Sequence, residues 1–290
     1  MIIIRIGFIG AGKVGFTFGK YFKENNLNVL GYFSRTVDSS YRAANFTKTK
    51  QFLKLKDLIN MSDIIFITTG DNSIPIVWKE IRELSKCGEV SIDGKIICHC
   101  SGSLTSNVFS NISEYNAYPY SIHPLFAISD KFNSYKTLKE AFITIEGHKK
   151  YLNYFKSLFE NLGNKVQIIC GDNKALYHAS AVMCSNLVLG IIECSIKNLT
   201  KCGFYEDEAK DALYPLISFN IDNIKENSIV ESLTGPLERG DLDTIIKHCE
   251  VLNRNDQKLY KVLSKEVLGI AKRKNKNRNY ENIEMFLGEE

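Results

Sequence analysis

The eight cysteines of this 290-residue chain, at 87, 98, 100, 170, 184, 194, 202 and 249, form no C-x-x-C pair. That spacing excludes a cysteine zinc motif and a disulfide framework, and fits free, mostly buried thiols. Cys98-His99-Cys100 has metal-site composition, but strand alternation sends the two thiols to one face and the imidazole to the other, so no metal is expected. No charge sign dominates either: 37 basic and 33 acidic residues leave a dispersed +4, too mild for a nucleic-acid partner. The one basic cluster, Lys272-Arg273-Lys274 with Lys276 and Arg278, reads as a solvated helix end. No apolar run is expected to reach membrane-spanning length, and the first residues lack the charged region and cleavage site of a signal peptide. The expectation is a cytoplasmic protein with no membrane partner. With no internal repeat and no low-complexity linker, its domains should be joined tightly.

What is present starts at the first residues. Ile2 to Ile9 is an apolar run that delivers Gly10-Ala11-Gly12-Lys13-Val14-Gly15, a complete G-x-G-x-x-G turn, to a helix start. In that context Gly10 allows the tight turn, Gly12 lets backbone approach a diphosphate, and Gly15 lets the helix pack on the strand. Val14, Phe18, Tyr21 and Phe22 then mark one helix face, and a second strand runs from Leu27 to Phe33. Arg35 stands twenty residues beyond Gly15, where an acid would hold the 2′-hydroxyl of NAD. A guanidinium there, flanked by the hydroxyls of Ser34 and Thr36, suits a 2′-phosphate, so the expected cofactor is NADP(H). Asp38 comes three residues too late to compete.

The alternation of strand and helix continues through Asp63–Thr68, a helix marked by Ile74, Val77, Trp78, Ile81 and Leu84, and strands at Lys95–Cys100, Ala141–Ile145 and Lys165–Ile169. This pattern predicts an α/β fold with a parallel sheet covered on both faces. From Gly171 the strand signal stops. The predicted organisation is a Rossmann-like domain over residues 1–170 and an all-α domain over 171–290.

In an open parallel sheet, ligands sit beyond the carboxyl ends of the strands, so the loops there carry the candidates. Thr69-Gly70-Asp71-Asn72-Ser73 is placed to line the cofactor, with helix capping by Asp71 or Ser73 as the plainer reading. Ser101 and Gly102 are placed to receive a substrate carboxylate or carbonyl, or else make a turn. Pro124 forces His123 into extended backbone, displaying its imidazole at the sheet edge as a proton donor or a turn partner. Ala179 to Ile192 is apolar on nearly all sides and is expected to be buried. His178, Ser185 and Asn186 interrupt it on one region, as substrate or interface partners. Arg239 is a candidate for an anionic substrate group, or pairs with Asp241 or Glu238.

Together the glycine turn, His99-Cys100-Ser101-Gly102, Ser121-Ile122-His123-Pro124-Leu125, Leu176-Tyr177-His178-Ala179, Thr234-Gly235-Pro236 and Arg239-Gly240-Asp241 resemble one family across nearly the whole chain. It is an uncharacterised Rossmann-like oxidoreductase family with a helical domain of unknown function of the DUF2520 type. It is related to β-hydroxyacid dehydrogenases, pyrroline-5-carboxylate reductase and deazaflavin-dependent NADP reductases. The resemblance implies a helical domain like the carboxyl-terminal one of 6-phosphogluconate dehydrogenase, a homodimer formed through it, and a reductase. The β-hydroxyacid dehydrogenases place a lysine four residues before the helix asparagine, where this chain has Val182 before Asn186. His178 is then the expected acid/base, with His123 and Asn186 beside it. The expectation is hydride transfer to or from a carbonyl or imine of a small anionic metabolite, in a cleft between the domains. The competing expectation, which the missing lysine favours, is an NADP(H)-binding sensor without catalysis.

Overall fold

A computed structural model describes residues 4–288; Ile2 and Ile3 of the expected first strand lie outside them. The chain divides into two compact units, residues 1–186 and 187–290, so the first unit runs past the composition change at 171.

The first unit is built on eight strands: β1 (Ile6–Ile9), β2 (Val29–Phe33), β3 (Lys50–Gln51), β4 (Ile64–Ile67), β5 (Ile96–His99), β6 (Tyr118–Leu125), β7 (Phe142–Gly147) and β8 (Lys165–Ile168). Their order in the sheet is β3-β2-β1-β4-β5-β6-β7-β8. Between them lie α1 (Lys13–Glu24), α2 (Val37–Thr47), α3 (Leu55–Met61), α4 (Ile74–Lys86) and α5 (Leu152–Asn161), followed by α6 (Lys174–Met183). The order reverses direction between β1 and β4, which opens a crevice at their carboxyl ends.

The central strands are apolar on both faces because both faces are covered. Phe8, Phe66 and Cys98 point into one core with Phe18 and Phe22 of α1, while Ile9, Ile67 and Ile97 point into the other with Trp78 and Ile81 of α4. Each fully buried aromatic or branched side chain contributes roughly 1.5–3 kcal/mol. The parallel expectation holds for most of the sheet, but β6 and β7 are antiparallel. Strand β6 lies between β5 and β7, but β5 ends opposite Ser121, so at His123 only β7 is paired and the other side of the strand is a local edge.

The second unit contains α7 (Asn186–Lys201), α8 (Glu206–Glu226), α9 (Ile229–Ser232), α10 (Pro236–Arg239), α11 (Leu242–Val251), α12 (Arg254–Lys274) and α13 (Glu281–Gly288). Its core gathers Leu237, Ile245, Leu268, Ala271, Tyr280, Ile283 and Leu287. The long apolar stretch is not part of it. Leu187 and Leu189 on α7 are 55% and 64% exposed, and Phe219 and Ile221 on α8 are similarly open, so the expected burial of 179–192 is not found within one chain. The segment Gly171–Lys201 is, at 31 residues, long and apolar enough by composition to cross a membrane, which corrects the expectation that no run is. It is, however, two helices broken at Cys184 and Ser185, and its first turns are bonded to the sheet unit through Lys174 and Tyr177.

Candidate active site in the sheet unit

The turn from β1 to α1 explains two of its glycines by packing and leaves the third for a ligand. Gly10 sits at φ +105°, and its N–H donates to Phe33 O at 2.8 Å. A Cβ on Gly15 would lie 2.6 Å from Thr68 Oγ1 and 2.7 Å from Gly10 O, too close for any side chain. Gly12 is different: a Cβ there would meet only Thr68 O, at an ordinary 3.6 Å. Nothing in the protein requires glycine at 12, where the backbone opens α1 and its free N–H groups.

This turn forms the floor of a cleft of about 370 Å³ that also takes in Ser34, Arg35, Thr36, Ser39 and Thr69. Arg35 is exposed and, among the described residues, has no hydrogen bond or ion pair. The Thr69 hydroxyl is buried and unpartnered. A helix N-terminus, a free guanidinium and an orphan hydroxyl fit a phosphate-bearing dinucleotide. Of the other motif residues, Lys13 is exposed and Val14 packs on the core.

Asp71 does not line this cleft and does not cap α4. Its carboxylate accepts from Ser101 Oγ at 2.8 Å and Ser103 Oγ at 3.0 Å, while Ser73, at the helix start, makes no capping bond. The loop after β4 thus touches the cleft through Thr69 and a second cluster through Asp71.

That cluster is assembled from the loop after β5, from β6 and β7, and from α6. Gly102 permits it: a Cβ there would stand 2.3 Å from His178 Cδ2 and 2.9 Å from His123 Nε2. The two imidazole rings are 6.2 Å apart between centroids. His123 Nδ1 lies 2.7 Å from the Tyr177 hydroxyl. Burial, helped by the charge of Lys174, lowers the His123 pKa to about 3, so the ring is neutral. His178 is half-buried and, among the described residues, makes no hydrogen bond. His99 is structural: Ser101 N–H donates to its Nδ1 at 3.1 Å, so Nε2 carries the proton and donates to Thr105 O. Burial holds its pKa down to about 4.

The residue that sequence reasoning missed is Lys174. It is 1% exposed, and its Nζ donates to Ser101 O at 2.9 Å. Burial lowers its pKa to about 8, opposed by Glu146, Cys100 and Asp71. Glu146 is occupied by Ser106, accepting from its N–H at 2.7 Å and its Oγ at 2.6 Å, and Asp71 by the two serines. Among the described residues, the buried ammonium therefore has one carbonyl acceptor for its three donors. The available signal was spacing, since Lys174, Tyr177 and His178 stand at i, i+3 and i+4 on α6.

Three candidates are not gathered here. Ser185 donates to Ala181 O at 2.7 Å and to Asn186 Oδ1 at 3.1 Å, and both residues are exposed, because the turn at Cys184–Ser185 breaks the helical register with His178. Arg239 ends α10 in the other unit, exposed. Its two suggested partners are engaged otherwise: Asp241 caps α11 and Glu238 pairs with Arg278.

A crossed-over parallel sheet with a glycine turn at its switch point defines a dinucleotide-binding fold. Residues 2–124 match the Rossmann-like domain, and residues 141–267 match the domain of unknown function DUF2520. The chain pairs these two domains, as its motifs led one to expect. It matches no curated protein. Among solved structures it is similar to protein TM1727 from Thermotoga maritima, at 22% identity and a TM-score of 0.74, covering 93% of this chain and 99% of that one. A reductive aminase from Aspergillus terreus, in complex with NADPH and ethyl-5-oxohexanoate, matches at 11% identity and TM-score 0.62, over 94% and 93% of the two chains. A pyrroline carboxylate reductase from Plasmodium falciparum with NADP bound matches at 15% and 0.57, over 92% and 98%. At such identities the likeness establishes the fold.

Proposed function

We propose that this protein is an NADP(H)-dependent reductase acting on a carbonyl or imine of a small anionic metabolite. The observation that carries the reading is the loop after β4, which joins the phosphate-fitting cleft at Thr69 to the His123–Gly102–His178 cluster at Asp71. Arg35, with Ser34 and Thr36, would hold the 2′-phosphate, and the turn Gly10–Gly12 the diphosphate. When bound, the cofactor supplies or accepts hydride. His178 supplies the proton at its free ring nitrogen, on the substrate oxygen or nitrogen. Ser101 and Gly102 seat the substrate's polar end, and Lys174 beneath them ties α6 to the loop after β5. The NADP-bound and NADPH-bound neighbours support the cofactor assignment.

The case for a sensor without catalysis rests on the absent helix lysine and on the lack of one decisive catalytic triad. The buried Lys174 amine is bonded to Ser101 O and does not fill that lysine's place, so turnover of NADPH is what separates the two readings. Two further readings belong with this proposal. The open apolar faces of α7 and α8 support a homodimer, and the free thiols suit the reducing cytoplasm.

Calorimetry with NADPH and NADH tests the cofactor: Arg35→Ala should lose roughly 10-fold to 100-fold for NADPH and little for NADH. Equal wild-type affinity for both nucleotides removes the NADP(H) assignment. A panel of keto acids, imines and aldehydes then tests chemistry through the absorbance of reduced nicotinamide. His178→Gln should lower kcat by roughly 100-fold to 10,000-fold with NADPH affinity unchanged. Unchanged turnover would end the assignment of His178.

A further inference from the structure

The cleft lined by Arg35 also contains a cation that the glycine-turn motif does not provide. Lys131 lines the cleft together with Gly10, Gly12 and Arg35, although it comes from the connection between β6 and β7, far from the glycine turn in the sequence. Among the described residues it forms no hydrogen bond or ion pair. Its Nζ lies 5.3 Å from the ring centroid of Phe16, the residue that follows Gly15 in α1.

Two devices hold the strap that carries it. Phe132 packs edge-on against Phe16 at 5.5 Å and against Phe46 of α2 at 5.2 Å, which fixes the strap across the first helix pair. Asp130 folds the strap on itself: its carboxylate accepts from Phe132 N–H at 2.7 Å and from Asn133 Nδ2 at 2.8 Å. Asp130, the acid adjacent to Lys131 in the chain, is thereby engaged, and Lys131 keeps no hydrogen bond or ion pair among the described residues. Lys13, by contrast, opens α1 but does not line the cleft. The charged cleft residues are Arg35, Lys131 and, on α4, Glu80, an excess of one positive charge beside a helix N-terminus.

Resting on the cofactor reading above, we propose that Lys131 is a phosphate ligand of the bound dinucleotide, delivered by the Phe132-anchored strap over α1. An ammonium on a pre-folded strap loses little conformational freedom when the anion arrives, so the contact adds affinity at small entropic cost. It acts as a point charge on a phosphate, whereas Arg35 offers paired bonds.

Calorimetric titrations with NADP⁺ and NAD⁺ test this on the full chain, comparing wild type with Lys131→Met and Lys131→Arg. Lys131→Met should weaken binding by roughly 10-fold, and Lys131→Arg should restore most of it. An equal loss for both nucleotides assigns the contact to the diphosphate, and a loss confined to NADP⁺ assigns it to the 2′-phosphate. Wild-type binding with an unchanged Lys131→Met variant overturns the proposal and leaves the cofactor reading intact. A well-folded wild type that binds neither nucleotide brings down both.

Discussion

The two compact units leave different things unsatisfied. The sheet unit encloses its apolar residues in two cores, one on each face, but retains buried or unpartnered polar groups: the Lys174 ammonium, the Thr69 hydroxyl and the Arg35 guanidinium. The helical unit has its polar termini capped, as at Asn253 and Asp241, and leaves apolar surface open on α7 and α8. The buried Thr69 hydroxyl calls for a polar ligand, because an unpaired buried group costs about 1–3 kcal/mol until something bonds to it, and the exposed Arg35 guanidinium offers an anion its charge. Open apolar surface calls for another apolar surface, since each large side chain covered returns roughly 1.5–3 kcal/mol. The difference is the ground for proposing ligand binding by one unit and dimerisation through the other.

The contrast breaks most visibly at the apolar faces. Replacing Leu189 and Phe219 by Asp should raise the dimer dissociation constant by at least about 100-fold, with the helical signal in circular dichroism unchanged. Sedimentation equilibrium measures it, and a wild type that is monomeric at micromolar concentration would refute the reading. Substitutions of the same kind in the sheet unit, for instance Phe66→Asp, should instead prevent folding.

These regions also differ in how far the sequence disclosed them. The glycine turn was legible because its spacing is a short sequence pattern with a defined task for each glycine, and the structure gives Gly10 its positive φ and Gly15 its close approach to Gly10 O and Thr68. Strand β6 was not, because Pro119 and Pro124 read as loop. Pro124 is tolerated there because β5 ends opposite Ser121, so only β7 is paired beyond it. The reversal between β6 and β7 depends on a connection with no local signature. Apolarity from 179 to 192 was read as burial in the helical domain, which the chain by itself does not provide, because periodicity marks an apolar surface without saying what covers it. Lys174 escaped because an isolated lysine reads as solvated, and its burial is a tertiary fact.

The acid limb of stability sharpens the polar side of the comparison. His123 is held neutral down to about 3 in the folded protein against an ordinary value of 6.5. The unfolded chain therefore takes up the proton first as pH falls below 6.5, and stability is lost toward pH 3. By pH 5 this one group should cost about 2 kcal/mol. Urea unfolding at pH 7 and pH 5 should show His123→Gln losing less stability than wild type by about that amount. Parallel losses in the two proteins would mean that the ring is not buried as described.

The alkaline limb gives a smaller effect of the same origin. Lys174 has its pKa lowered to about 8 from 10.5 by burial, so the unfolded chain holds this proton more tightly than the folded one. Stability from this group rises as pH climbs through that window, because the charge that folding had to bury disappears. Other groups act oppositely there: burial raises the pKa of Cys98 and Tyr32, which lowers stability as pH rises, so the total slope is uninformative. The difference between wild type and Lys174→Met isolates the lysine, and wild type should gain about 1 kcal/mol on the variant between pH 7 and pH 9. Bound NADP⁺ with an anionic inhibitor should shrink that gain toward zero if the ligand's charge reaches the amine, since an opposite charge favours the ammonium and brings its pKa back toward the ordinary value. A slope difference that persists unchanged in the ternary complex would place Lys174 beneath the site as a tether of α6, touching no part of the substrate.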